Sequence, residues 1–167
     1  MSNATADLFA LLDRLGIQYT AYAHEPVFTC EAALAAVPDA RSVQTKNLFL
    51  RDKPGRRHIL LVTSCEKAVD IRQFAAAADA GHLSFGSAER LQKHLGLTPG
   101  SVTVLGLIND PSHAVELFVD RDVWDREWWN CHPLVNTATL VLSRAGIERF
   151  LAHTGHAPRV VTLERRG

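Results

Sequence analysis

The chain has little cysteine, and Cys30, Cys65 and Cys131 are an odd number, far apart, with no Cys-x-x-Cys pair among them. That spacing offers neither a zinc site nor a thioredoxin-like motif, and it fits a chain working in a reducing cytoplasm. Net charge is missing too, because 18 basic residues cancel 18 acidic ones. No global positive field announces a polyanion partner, although a protein that grips only the tip of an RNA needs few phosphate contacts and can use a local basic patch. No apolar run approaches membrane-spanning length, and Met1 to Asp7 lacks a basic stretch followed by an apolar one, so neither export nor membrane insertion is indicated. A Walker A loop, a Gly-x-Ser-x-Gly elbow and a His-Glu-x-x-His signature are all absent. Nucleotide hydrolysis, serine hydrolysis and zinc proteolysis lose support accordingly.

What is present is an ordinary globular composition, 47% apolar and 22% charged over 167 residues, enough for one domain spanning 1–167 with its own core. Leu8, Leu11, Leu12 and Leu15 fall at helical spacing, and Gly16 follows as a terminator. A strand is predicted over 17–22, and a helix capped by Thr29 runs to Val37. Two runs of strand formers, 42–51 and 58–64, flank the turn residues Lys53-Pro54-Gly55-Arg56 and read as a β-hairpin. Asp70 and Ser87 can cap helices through Ala78 and Leu95, with Gly96 as a stop, and Ser143 can cap a last helix. Strands are predicted over 102–108, 115–119, 138–142 and 159–163. Helices and strands in this irregular order predict an α+β domain with a mixed, barrel-like sheet rather than a doubly wound one.

Some residues stand out chemically. Side chains alternate along a strand, so Lys46 shares an apolar face with Leu48 and Leu50, while Thr45, Asn47 and Phe49 share the other. A lysine there either snorkels to water along its stem or awaits an anion in a cavity. The segment Gly96-Leu97-Thr98-Pro99-Gly100-Ser101-Val102 is at least a helix stop followed by a Pro-Gly turn, and it can also present backbone N–H groups to a developing oxyanion. His132 lies in a polar-rich interruption, Trp128 to Thr137, just before an apolar strand. Cys131 beside it is poorly placed to be activated, since neighbouring strand residues point to opposite faces. His153 and His156 read as helix-end residues, and Trp124, Trp128 and Trp129 as core or interface aromatics.

Taken together, Thr45-Lys46-Asn47-Leu48-Phe49-Leu50, Gly96 to Val102 and His132-Pro133-Leu134-Val135-Asn136-Thr137-Ala138-Thr139 resemble the YbaK and prolyl-tRNA editing-domain family in order and spacing. Within it the chain is most similar to the free-standing alanyl-tRNA(Pro) deacylases, and the resemblance runs from the first helix to the last strand. It implies a compact α+β domain whose pocket accepts the aminoacylated 3′ end of tRNA(Pro) and hydrolyses the ester of mischarged alanine, without cofactor or metal.

By the same resemblance Lys46, Gly100 and Ser101 would be catalytic, and Asn47, Gly96, Pro99, His132, Asn136 and Thr137 would bind substrate. Arg51, Lys53, Arg56 and Arg57 cluster at the hairpin turn and would meet acceptor-stem phosphates, with prolyl-tRNA synthetase as a further candidate partner. Three alternatives stay open. The substrate could be Cys-tRNA(Pro) or another small aminoacyl ester, the fold could serve a non-catalytic tRNA or synthetase regulator, or Cys131 could drive an unrelated hydrolase.

Overall fold

A computed structural model describes residues 3–39 and 41–165. Leu8, Leu11 and Leu12 are buried along α1 (Asn3–Arg14), and Gly16, at φ +69°, turns the chain out of that helix into β1 (Tyr19–Ala23). The capping residues act as their chemistry predicts. Thr29 accepts from the Ala32 N–H at the start of α2 (Cys30–Ala36), Asp70 accepts from Arg72 and Gln73 at α3 (Ile71–Ala77), and Ser87 accepts from Arg90 at α4 (Ala88–Leu95). Between α2 and α3 lies the expected hairpin, β2 (Val43–Asp52) and β3 (His58–Ser64). Its turn is closed by the Asp52 carboxylate, which accepts from the Arg56 and Arg57 N–H groups.

After α4 the chain continues through β5 (Val115–Asp120), β7 (Ala138–Ser143), α6 (Arg144–Thr154) and β8 (Arg159–Val161). Before β5, however, residues 102–108 do not form a strand. Val104–Asn109 is a 3₁₀ helix whose first turn is capped by the Thr103 hydroxyl. A short apolar run bounded by turn residues fits a buried strand and a buried helical turn equally. Gly106 decides the packing, because a Cβ there would come within 2.6 Å of the Leu97 side chain. Three short elements lay beyond the reach of periodicity: β4 (Leu83–Phe85), α5 (Arg121–Trp124) and β6 (Trp128–Cys131). His156 does not serve the helix end as predicted; it is buried and pairs with the buried Asp110 carboxylate at 2.9 Å.

The strands form one mixed sheet in the order β1-β7-β6-β2-β3-β5-β8, with β4 added to β2. β3 is buried on both faces, Leu60 and Val62 facing one hydrophobic cluster and Ile59 and Leu61 the other. The first cluster takes in α1, α4, the 3₁₀ helix and α6, and the second packs α3 against the opposite face. β2 carries the feature that places the site. Along one edge it pairs with β3 from Thr45 to Arg51. Along the other it meets β6 only through Val43 and Gln44, and β4 only through Leu50, Arg51 and Asp52.

The cysteines depart from the sequence reading. Cys30 and Cys65 form a disulfide, Cα to Cα 5.7 Å, which ties the start of α2 to the turn after β3; Cys131 alone is free, and buried. Count and spacing could not reveal a pair 35 residues apart. Closing a loop of that length restricts the unfolded chain by roughly 4 kcal/mol on the chain-entropy account, and measured gains are about 2–4 kcal/mol. Urea unfolding should therefore show a loss of about 2–4 kcal/mol on reduction of the protein, and no response to reductant in a Cys30→Ala, Cys65→Ala variant. Equal midpoints with and without reductant in the wild type would show the thiols to be unpaired.

Candidate functional site

The open interval of β2 borders a cavity of about 250 Å³. The last bond of the β4 ladder runs from the Gly86 N–H to the Phe49 carbonyl, and on the β6 side the Asn130 carboxamide oxygen accepts from the Thr45 N–H. Peptide groups alternate along a strand, so those of Asn47 turn toward the same edge as those of Thr45 and Phe49, with no strand beside them. Side chains alternate as predicted: Leu48 and Leu50 belong to one core cluster and Phe49 to the other. Lys46 and Asn47 nevertheless both line the cavity, because the missing neighbour exposes both faces of the strand there.

Lys46 is half-buried, and its Nζ donates to the Lys67 carbonyl at 2.6 Å. Burial pushes its pKa below the usual lysine value, since removal from water disfavours the charged form. Asn47 contributes a different signal. Its Oδ1 is buried and has no hydrogen-bond partner. An unpaired buried acceptor costs about 1–3 kcal/mol, which a ligand bringing an N–H or O–H donor would recover.

His132 reaches the cavity from the loop between β6 and β7. Its Nδ1 lies 3.1 Å from the Ala138 carbonyl, which only accepts, so the proton belongs on Nδ1 and Nε2 keeps its lone pair. Burial lowers the ring's pKa, and the His24 ring packs edge-on at 6.5 Å. A neutral imidazole with a fixed tautomer can accept a proton or a hydrogen bond at Nε2.

The glycine-rich segment splits into distinct jobs. The Ser101 N–H bonds the Thr98 carbonyl, with Pro99 and Gly100 between them and Gly100 at φ +89°, a type II turn that requires glycine at its third position. Gly100 lines the cavity; Ser101 is buried behind it with its N–H already used. Gly96 is the left-handed stop of α4, and Pro99 sets the turn. Asn136 and Thr137 do not line the cavity either. They clasp its far wall: Asn136 Nδ2 donates to the Val27 carbonyl, the Val27 N–H donates to the Asn136 carbonyl, and the His24 N–H donates to the Thr137 carbonyl.

The structure thus brings together Lys46, Asn47, Gly100 and His132 and adds a wall that sequence reasoning missed, Val27 to Cys30 with Ala33 of α2. Phe28 stands at the rim, 76% exposed, with its ring against Gly100. An aromatic residue just before a capping threonine was the only available hint. Cys131 is fully buried and its thiol is pushed up to about 12, which removes it as a nucleophile.

The basic residues of the hairpin also divide. Arg57 is committed to structure, its guanidinium bonding Glu116 at 2.8 Å and the carbonyls of Ala78 and Asp79. His58, beside it, is pushed down to about 4, by burial first and then by His94 and Arg90, and stays neutral. Arg51 bonds the Lys53 carbonyl, and its Nε is buried without a partner. Lys53 and Arg56 are exposed.

Residues 24–150 match the family described as the aminoacyl-tRNA editing domain. The chain is 35% identical over 161 residues to the "Prolyl-tRNA editing protein ProX" of Acetoanaerobium sticklandii, covering 96% of this chain and 98% of that protein. It is 31% identical to the "Prolyl-tRNA synthetase associated domain-containing protein 1" of Danio rerio, covering 95% and 86% respectively. A crystal structure of a proposed trans-editing enzyme for prolyl tRNA synthetase superposes with a TM-score of 0.74 over 100% of this chain and 99% of that one, at 16% identity. No helix among the described residues is long and apolar enough to cross a membrane. By the family match and by identity over nearly the whole chain, the protein belongs to the aminoacyl-tRNA editing domain family.

Proposed function

We propose that the chain, acting as one editing unit, is a trans-editing deacylase that hydrolyses the ester of alanine mischarged onto tRNA(Pro), in the cytoplasm. With Cys30 and Cys65 paired, that placement rests on where aminoacylated tRNA is made and used and no longer on the cysteines. The observation that carries this reading is the pairing, in one small cavity, of a half-buried ammonium with a buried carboxamide oxygen that lacks a donor. An aminoacylated 3′ end supplies the complement of both. Its α-ammonium is a donor for Asn47 Oδ1, and its ribose or terminal phosphate is an acceptor for Lys46. Apolar walls from Val27, Ala33 and Val102 suit a small side chain.

The need for such an enzyme follows from pocket energetics. A synthetase site shaped for proline gains only about 1–3 kcal/mol per methylene against a smaller amino acid, so alanine leaks through. A second, smaller pocket then admits alanine and excludes proline by overlap. The chain acts after the synthetase, on what that enzyme releases.

In the proposed reaction water attacks the ester carbonyl as it gives a proton to His132 Nε2, the tetrahedral oxyanion collapses to the free acid, and the ribose oxygen leaves as a hydroxyl by taking that proton back. Lys46 holds the ribose or phosphate, and Gly100 with the Asn47 peptide edge orients the ester. His132 Nε2 accepts a hydrogen bond from the attacking water, assisted by the ribose hydroxyl next to the ester. Phe28 offers the terminal base a stacking face. Arg51 lies five residues along β2 from Lys46, about 17 Å at strand spacing, so it, Lys53 and Arg56 stand where phosphates of the preceding nucleotides would pass.

Release of alanine from Ala-tRNA(Pro) by the purified protein should fall about 10²-fold in kcat with Lys46→Ala. Asn47→Ala should cost about 10- to 100-fold in kcat/KM through the lost ammonium contact. Pro-tRNA(Pro) should be spared; preference for Cys-tRNA(Pro) would keep the chemistry and replace the substrate, and hydrolysis of none would overturn the reading.

Substrate ending in 2′-deoxyadenosine should bind but not turn over. Full turnover would remove the ribose hydroxyl from the mechanism.

A Lys53→Ala, Arg56→Ala variant should bind tRNA(Pro) with a salt slope shallower by about two, because two phosphate contacts are lost. An unchanged slope would take the hairpin turn out of the RNA interface.

A further inference from the structure

Lys67 is the most deeply buried charged lysine of the fold, 4% exposed, in the turn that follows β3. Its ammonium has three donors and meets three acceptors: Asp120 Oδ2 at 2.8 Å, Asp122 Oδ2 at 2.7 Å and the Leu163 carbonyl at 2.8 Å. Asp120 is itself fixed, its Oδ2 accepting from the Thr63 hydroxyl and its Oδ1 from the Asp122 N–H. An ion pair buried this deeply is poor evidence for stability, because the cost of removing both charges from water offsets most of their attraction and apolar residues of similar volume would often serve as well. What such a pair does supply is a fixed position.

The position fixed is that of a carbonyl. The Lys67 N–H bonds the Ser64 carbonyl and the Cys65 N–H bonds the Gln44 carbonyl, so the turn is tight and docked on the start of β2. Out of that turn the Lys67 carbonyl projects to Lys46 Nζ, at 2.6 Å. Side chain and backbone of the same residue thus point to opposite partners, one locked in a carboxylate pair and the other holding the ammonium at the cavity. A lysine on a flexible four-carbon stem is otherwise free to sweep many rotamers. With one of its three N–H groups on this carbonyl, two remain for a ligand.

We infer that Lys67 is a positioning residue for Lys46: its ammonium, clamped by Asp120 and Asp122, holds the Lys67 carbonyl where it aims Lys46 Nζ into the editing cavity. This assignment rests on the deacylase reading for its consequence in catalysis, but its structural half can be tested without substrate. Lys46, Lys53, Lys67 and Lys93 are the chain's lysines, so protein labelled with [13Cε]-lysine gives few signals, each assignable by substitution.

In the wild type the Lys46 signal should relax as an immobilised group, and Lys53 as a free one. Lys67→Met should make Lys46 relax like Lys53 and lower kcat for Ala-tRNA(Pro) about tenfold or more, with KM for the tRNA within twofold. Asp122→Asn, at an exposed carboxylate, should act in the same direction by about threefold and serves should Lys67→Met fail to fold. Ile147→Val, a core truncation on α6, supplies a destabilised control that should leave the Lys46 signal and kcat unchanged.

An immobile Lys46 with wild-type kcat in a folded Lys67→Met or Asp122→Asn protein would overturn the inference, as would equal mobilisation of Lys46 by Ile147→Val. Wild-type protein that hydrolyses no aminoacyl-tRNA, with Lys46 mobilised as expected, would sink the deacylase reading and leave the positioning standing.

Discussion

The site depends on an incomplete set of hydrogen bonds. β2 is paired with β3 without a break from Thr45 to Arg51, yet on its other edge β6 stops at Gln44 and β4 begins at Leu50. Buried peptide groups without partners are expensive, so such an interruption persists only where something else meets them. The Asn130 side chain closes one end by accepting from the Thr45 N–H while its Nδ2 donates to Gln44 Oε1. The interval between opens on the cavity, and the residues with the most distinctive chemistry, Lys46 and Asn47, fall inside it.

Around that interval the surrounding segments are anchored, mostly from outside the cavity, with the Cys30–Cys65 bond lying in its wall. Asn136 and Thr137 hold the Val27–Phe28 wall, the Pro99–Gly100 turn is closed by Ser101, and the turn after β3 is docked through Cys65 and Lys67. The polar side chains that line the cavity are therefore few, and the contacts that hold them in place are many. A motif read from sequence mixes the two: Ser101, Asn136 and Thr137 belong to the same pattern as Lys46 and His132, yet they lie behind the cavity lining and bond backbone there.

Elements with local signals were legible in the sequence. Thr29, Asp70, Ser87 and Ser143 each cap the helix expected of them, and the hairpin follows from its strand formers and its Gly55 turn. What was missed is non-local. Leu83–Phe85 is a strand only because the end of β2 offers it an edge, and Trp128–Cys131 only because β7 and the start of β2 flank it. Residues 102–108 carry a strand-like composition, but Thr103 caps a turn and Gly106 packs against Leu97, and those tertiary contacts win. The Cys30–Cys65 bond and the Lys67 anchor left no trace in spacing, because each joins segments that meet only in the folded chain.

The neutral overall charge ceases to be an objection once the charges are sorted by what they touch. Arg57 is committed to Glu116 and Lys67 to two aspartates, and the exposed Arg41 pairs with Asp39, so these cations are already partnered within the fold. Acidic residues are consumed with them. What remains near the cavity is one ammonium with donors to spare, and along the hairpin a few exposed basic groups. Binding through the single-stranded end of an RNA needs local phosphate contacts and a pocket for the terminal residue rather than a broad positive face. On the proposed reading a small cation count also has an advantage. Affinity that came mostly from a general positive field would bind every tRNA alike, whereas affinity concentrated in a cavity would make recognition depend on the group the cavity admits.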